Sequence, residues 1–298
     1  MLNKLTQWEY QLSAGFVVRG FHTEVTGKPV IHFLHGNGYC GLVYETMLDS
    51  LTEHFDIFIS DIQGHGDSDV GGHFRGWNKN AELCVEVWQH FKQKLWPNVP
   101  AIAMGHSFGA VLSSLMMSNH PKLFTRGLLL DPVFLNKSLM RVAVLSEPLG
   151  LLNFTSLARR AKSRRSEWND RQEAFDYFHQ RGMFKGWEDA CLWSYVNHAL
   201  KETPSGLKLK CPPRRESAIF ASFPKRLWSS LDRLTTPTHI IYGDRSYPFV
   251  LKSAKTLEQS NPMITIESVS GRHCFMQEKP AQTARQIHQL LSSEGGQT

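Results

Sequence analysis

Short apolar runs alternate with helix-period segments along most of the chain. The run from Pro29 to Leu34 is mostly apolar and ends in glycines, which predicts a buried strand. Leu48, Leu51 and Phe55 follow at helical spacing, and Phe55 to Ser60 predicts the next strand. Leu83, Val87 and Phe91 repeat as a helix face does, and Ala101 to Met104 predicts a third strand. Val111, Leu112 and Leu115 open another helix before the strand Gly127 to Leu130. Fully apolar strands separated by amphipathic helices predict a mostly parallel sheet covered on both faces. Ahead of them, residues 7–25 predict two short strands around Gly15 and Gly20, an antiparallel edge.

The rhythm stops at residue 135. From there to 228 helix-like patterns occur, such as Ala190, Trp193 and Val196 to Leu200, but no apolar strand. It resumes with a strand from Thr238 to Tyr242, a helix over 249–259 and a strand from Met263 to Ile266. Ala284, Ile287 and Leu291 then mark a final helix. The prediction is an α/β core made of residues 1–134 and 229–298, interrupted by a mainly helical insertion over 135–228.

Composition changes this picture in one respect. The 298 residues are 41% hydrophobic, enough for a full-sized core, and the net charge is +6. Residues 135–228 hold 17 Lys/Arg and 9 Asp/Glu, so the positive balance belongs to the insertion and the remainder is slightly acidic. No stretch approaches the ~18 consecutive apolar residues of a membrane span. The first residues lack the apolar core of a signal peptide, and the five cysteines form no C-x-x-C pair. A protein of the reducing cytoplasm is expected. Neither cysteine nor histidine spacing matches a metal site, so neither metal nor other cofactor is predicted.

Two glycine motifs point to different chemistries. Gly36, Gly38 and Gly41 spell G-x-G-x-x-G between a strand and a helix, and Asp61 ends the next strand. That is the pattern of a dinucleotide site, with Asp61 as the ribose ligand. The second motif is Gly105-His106-Ser107-Phe108-Gly109, also between strand and helix. There a sharp turn lifts a serine hydroxyl above the sheet edge and requires small residues two positions either side. A serine nucleophile needs a base, and the base needs a carboxylate, in the order Ser, Asp or Glu, His. Asp244 and His273 follow two later strands and supply that order. His35-Gly36 then finds a use beside the serine, because the backbone N–H groups of Asn37 and Phe108 can form a two-donor oxyanion hole. The second chemistry explains more residues than the first.

In these motifs, with Asp61 to Ser68, Gly243-Asp244 and Gly271-Arg272-His273, the chain resembles the serine-nucleophile branch of the α/β-hydrolase superfamily. The resemblance runs over most of its length. It implies the α/β-hydrolase fold, with Ser107 as nucleophile, His273 as base and then acid, and Asp244 as orienting carboxylate. Asp131 is the alternative acid, since some members place it at that strand end. Epoxide hydrolases and haloalkane dehalogenases resemble the chain too, but carry aspartate where Ser107 stands. Residues 135–228 fall where many members insert a lid.

The expected activity is cleavage of a small carboxylic ester, lactone or thioester through an acyl-enzyme. The alternatives are carbon–carbon bond hydrolysis on the same triad, a non-catalytic ligand-binding protein, and the dinucleotide enzyme. Asp61, His65 and Asp67 are expected to make structural hydrogen bonds, and His106 to pack or line the site. Cys274 lacks an activating environment. The basic run Arg159 to Arg165 reads as a solvated face, with an anionic substrate or surface as its functional alternative. No aromatic interleaves it, so nucleic acid is not an expected partner. No oligomeric state is implied.

Overall fold

The computed structural model describes residues 4–146 and 155–292. Residues 147–154 of the expected insertion, and the polar tail from 293 on, lie outside the described residues. Strands β1 (Thr6–Gln11) and β2 (Val17–His22) form an antiparallel hairpin, as the pattern around Gly15 and Gly20 predicts. Strands β3 (Val30–Leu34), β4 (Asp56–Ser60), β5 (Ala101–His106) and β6 (Arg126–Leu130) are parallel. Between them run α1 (Glu45–Leu51), α2 (Trp77–Leu95) and α3 (Phe108–Asn119). Phe55 lies beyond α1 and before β4, so it belongs to neither element, although its ring is buried.

Every residue of β3, β4 and β5 is buried, which is why these strands read as runs rather than alternations. Successive side chains still go to opposite faces. Val30 and Leu34 meet Leu83, Val87 and Phe91 of α2 and Leu112 and Leu115 of α3. Ile31 and Phe33 meet Leu48 and Leu51 of α1 on the other side. At about 1.5–3 kcal/mol per fully buried large apolar side chain, these two layers hold the strand ends rigidly in register.

The segment between β6 and the next core strand carries α4 (Lys137–Ser146), α5 (Ser156–Lys162), β7 (Glu167–Trp168) and α6 (Arg171–Phe178). It continues with α7 (Asp189–His198), β8 (Leu200–Thr203), β9 (Gly206–Leu209), α8 (Pro213–Phe220) and α9 (Leu227–Asp232). Strands β7, β9 and β8 form a three-stranded antiparallel sheet that the sequence reading of a strandless insertion missed. The strands are two to four residues long, and Lys208 faces solvent between buried Leu207 and Leu209, while Lys201 follows buried Leu200. Their alternation therefore reads as part of a basic run. The segment is not a detached layer: Phe178, Tyr195 and Leu207 join the α1 face of the core, whereas Ile219, Phe223 and Leu231 join the α2–α3 face.

The core resumes with β10 (Thr238–Gly243), α10 (Pro248–Ser260) and β11 (Ile264–Val269), then α11 (Phe275–Glu278) and α12 (Pro280–Ser292). The eight-stranded sheet has the order β1-β2-β4-β3-β5-β6-β10-β11, parallel except at β1 and β2. Among the described residues no helix is long and apolar enough to cross a membrane.

Candidate active site

The site sits where β3, β5, β6 and β10 end together. Ser107 occupies the turn from β5 into α3 with φ 53° and ψ −111°, a conformation L side chains rarely adopt. Its N–H donates to Leu130 O at 3.0 Å, and its carbonyl accepts the N–H of Val111 at 3.2 Å. The flanking glycines are steric necessities. A Cβ on Gly105 would lie 2.5 Å from the carbonyl of Gly109, and one on Gly109 would lie 2.1 Å from Leu34 O. The first turn of α3 thus crosses directly over the end of β3, beside the 36–38 loop.

Ser107 Oγ lies 3.0 Å from His273 Nε2. His273 Nδ1–H donates to Asp131 Oδ2 at 2.6 Å, which leaves Nε2 free to accept the serine proton. The carboxylate of Asp131 is wholly buried. Its Oδ1 accepts Gly243 N–H at 2.9 Å, and its Oδ2 also accepts the Ser246 hydroxyl. Ser107 and His273 are both 8% exposed, so the serine hydroxyl sits beside its hydrogen-bond acceptor with little competing water.

Asp244 is not part of this chain, and the assignment of the orienting carboxylate to it is corrected. Strand register gives the reason. His106 pairs with Leu130 across β5 and β6, so the residues that follow, Ser107 and Asp131, emerge side by side. Ile241 pairs with Leu130 across β10 and β6, so Asp244 emerges two residues further out. There it is half-exposed, accepts Gly271 N–H at 2.9 Å and lies 3.5 Å from Arg245 Nε. The Gly271 hydrogen bond, seconded by Arg245, holds its carboxyl below the usual range. Asp244 pins the loop that carries His273; Gly243 before it serves Asp131 through its backbone.

The 36–38 loop is held from both sides. Gly36 N–H donates to Tyr44 Oη at 3.1 Å, and Gly38 N–H donates to His65 Nε2 at 3.1 Å. Between them, Asn37 N–H has no acceptor among the described residues, and the same holds for Phe108 N–H at the first position of α3. The Asn37 side chain points elsewhere, donating to Glu216 O at 3.1 Å. The dinucleotide pattern is accounted for structurally: Asp61 is 3% exposed, and its two oxygens accept Gly41 N–H at 2.8 Å and Asp67 N–H at 3.1 Å. Buried, with both oxygens engaged by backbone N–H groups, that carboxylate is not presented to a ligand. It ties the start of the 41–44 turn to the 64–68 loop, as expected for a structural group, and Asp67 pairs with Lys210 at 2.7 Å. Cys274 is buried beside His273, and burial pushes its thiol up to about 12, so it supplies no thiolate near neutrality.

The basic run divides. Arg159, Arg160 and Lys162 face solvent on α5. Arg164 turns inward to Glu216 at 2.6 Å and Tyr195 Oη at 3.0 Å, and Arg165 pairs with Glu173. Sequence reading also missed Ser246, Tyr44 and Glu216. The Glu216 carboxyl carbon would lie 3.0 Å from a Cβ on Gly38, so this glutamate sits against the loop. Its only sequence signal is a place inside a basic cluster. Among the described residues no group of three or more His, Cys, Asp or Glu is placed to hold a metal.

Burial sets the stability of this site against pH. His32 is driven down to about 3 and His35 to about 4 by desolvation, and His65 and His106 are held well below 6.5 for the same reason. On acidification the unfolded chain therefore protonates these imidazoles before the folded chain does, and stability falls as pH drops from 6.5 toward 4. Asp61, raised to about 6 by burial, acts oppositely between 3.8 and 6 and offsets one histidine. Glu216, also raised by burial, offsets part of another, and the remaining imbalance still lowers stability as pH falls. Urea unfolding at a series of pH values is expected to show the midpoint falling steeply below pH 6.5; a midpoint constant down to pH 4.5 would contradict these neutral imidazoles.

The profile of the alpha/beta hydrolase family matches residues 33–286. Among curated proteins, the type I acyl-CoA thioesterase mpaH of Penicillium roqueforti (strain FM164) is 25% identical over 184 residues, 58% of this chain and 40% of that protein. The monoglyceride lipase of Mus musculus is 32% identical over 115 residues, 37% of each chain. The chain thus spans less than half the length of these relatives. Among solved structures, E-2-(acetamidomethylene)succinate hydrolase superposes with a TM-score of 0.80 at 16% identity, over 97% of this chain and 99% of that one.

Proposed function

Since the chain belongs to the alpha/beta hydrolase family, we propose that it is a serine hydrolase that cleaves a small carboxylic ester or thioester through an acyl-enzyme. One observation carries the reading: the unbroken chain from Ser107 Oγ to His273 at 3.0 Å and from His273 to Asp131 at 2.6 Å. Ser107 Oγ attacks the acyl carbon while its proton passes to His273 Nε2, and Asp131 stabilises the imidazolium. The oxyanion takes hydrogen bonds from the N–H groups of Asn37 and Phe108, the second assisted by the positive end of α3. Collapse breaks the bond to the alcohol or thiol, which leaves with the proton from His273. Water, deprotonated by His273, then attacks the acyl carbon, and Ser107 Oγ leaves with that proton.

A thioesterase and a lipase among the relatives support ester or thioester cleavage over carbon–carbon hydrolysis. The segment from α4 to α9 acts as the lid in this reading. Its Phe184, Trp187 and Tyr195 rings lie 5.7–6.4 Å from the ring of Tyr39, two residues past Asn37, and so fasten the segment to the loop that carries the oxyanion donor. Five buried, unbridged cysteines support a reducing setting such as the cytoplasm.

The test is covalent. A fluorophosphonate probe is expected to label the purified protein with one adduct per chain, and peptide mapping is expected to find it on Ser107. No adduct, or an adduct on another residue, removes the proposal.

A further inference from the structure

His106 ends β5 immediately before Ser107, is wholly buried, and lies outside the proton path from Ser107 to Asp131. A buried imidazole needs partners for its nitrogens, and here the direction of every hydrogen bond is fixed. Gly36 N–H can only donate, so Tyr44 Oη accepts from it at 3.1 Å. The phenolic proton then goes to His106 Nδ1, 2.7 Å away. An accepting Nδ1 leaves the ring proton on Nε2, which donates to the carbonyl oxygen of His273 at 3.0 Å. The chain starts one residue before Asn37 and ends on the backbone of the base. A Cβ on Gly36 would lie 2.9 Å from His106 Nδ1 and 3.2 Å from Tyr44 Oη, so glycine there lets the three groups meet. The His106 and His273 rings are 4.8 Å apart. A neutral His106 therefore puts no like charge beside His273 when the latter takes up the serine proton.

We propose that Tyr44 and His106 are positioning residues that fasten the 36–38 loop to the backbone of His273, keeping base and oxyanion donors in register with Ser107. The catalytic consequence rests on the serine-hydrolase reading; the hydrogen-bond chain does not. A side chain that merely filled space would need volume but no particular tautomer, and leucine would replace it. A group that sets geometry has a steeper penalty, since a displacement of about 1 Å costs about 100-fold in rate.

Two measurements test this. Histidine-selective nitrogen NMR of the wild-type chain is expected to show His106 as the neutral Nε2–H tautomer from about pH 5 to about pH 9. An Nδ1–H tautomer, or protonation of His106 within that range, overturns the proposal whether or not Ser107 reacts. In kinetics with p-nitrophenyl acetate, His106→Leu is expected to lower kcat about 100-fold with KM changed by less than about twofold. His106→Gln, whose amide N–H reaches toward the His273 carbonyl, is expected to recover about tenfold of that loss. Tyr44→Phe alone is expected to cost about tenfold, but less than about twofold when added to His106→Leu, because the chain is already broken. Equal losses in the Leu and Gln variants that track their melting temperatures, or additive losses, sink the idea. The Nε2–H tautomer in a wild-type protein that hydrolyses no ester would instead reject the hydrolase reading and leave the hydrogen-bond chain supported.

Discussion

Ser107→Ala is expected to lower kcat by about six orders of magnitude, and Ser107→Gly to lower it as far while making the protein more stable. The first effect follows from the proposed role: with the hydroxyl gone, His273 has no nucleophile to deprotonate. About 10³-fold acceleration over water is expected to remain, because the oxyanion donors on Asn37 and Phe108 are untouched. The second effect follows from backbone strain. At φ 53° and ψ −111° a residue with a Cβ is held in a sparsely populated conformation, at a cost of about 1–3 kcal/mol. The bonds from Ser107 N–H to Leu130 O and from Val111 N–H to Ser107 O keep it there. Glycine relieves the strain but loses more chain entropy on folding, about 0.5–1 kcal/mol, so a net gain of about 1 kcal/mol is expected. In a chain of this size that is about 2 °C in melting temperature. Calorimetry on the Ala and Gly variants, beside ester turnover, checks both effects. An Ala variant that keeps more than about one part in a hundred of wild-type kcat excludes Ser107 as the nucleophile.

The parts of this site that were legible in the sequence are those encoded locally. The apolar runs announced β3 to β6 and β10, and the glycines at 105 and 109 announced the turn that presents Ser107. What was misread depends on register between strands distant in sequence. Both Asp131 and Asp244 follow Ser107, precede His273 and end a strand, so chain order admits either one. Only the pairing of His106 with Leu130 places Asp131 level with the serine. The spacing from Gly41 to Asp61, which suggested a ribose ligand, turns out to be the spacing of a backbone N–H and the buried carboxylate that accepts from it. The chain from Tyr44 through His106 to His273 spans 62 and then 167 residues, and no local pattern foretells such contacts. The small sheet of β7, β8 and β9 was hidden for another reason: its solvent-facing lysines carry the alternation, and in sequence they read as charge.

The two aspartates give the sharpest separation between what chain order suggested and what register decides. Asp131→Asn is expected to lower kcat by about four orders of magnitude. An asparagine at 131 keeps its amide oxygen on the N–H of Gly243, so its NH₂ group takes the place of Oδ2, where it donates to the Ser246 hydroxyl and to His273 Nδ1. Nδ1 must then accept, the ring proton moves to Nε2, and the imidazole presents a donor to Ser107 where it needs an acceptor. Asp244→Asn keeps an oxygen for the N–H of Gly271, and its half-exposed side chain touches neither Ser107 nor His273. It is expected to change kcat by less than about threefold and to leave stability nearly unchanged, because solvent screens the exchange of a charged for a neutral acceptor there. Steady-state kinetics on both variants, with urea unfolding to show that each is folded, distinguishes the assignments. A large loss of kcat in Asp244→Asn with near-normal turnover in Asp131→Asn would return the orienting role to Asp244. A large loss in Asp131→Asn alone would tie the basicity of His273 to the strand end beside its own nucleophile.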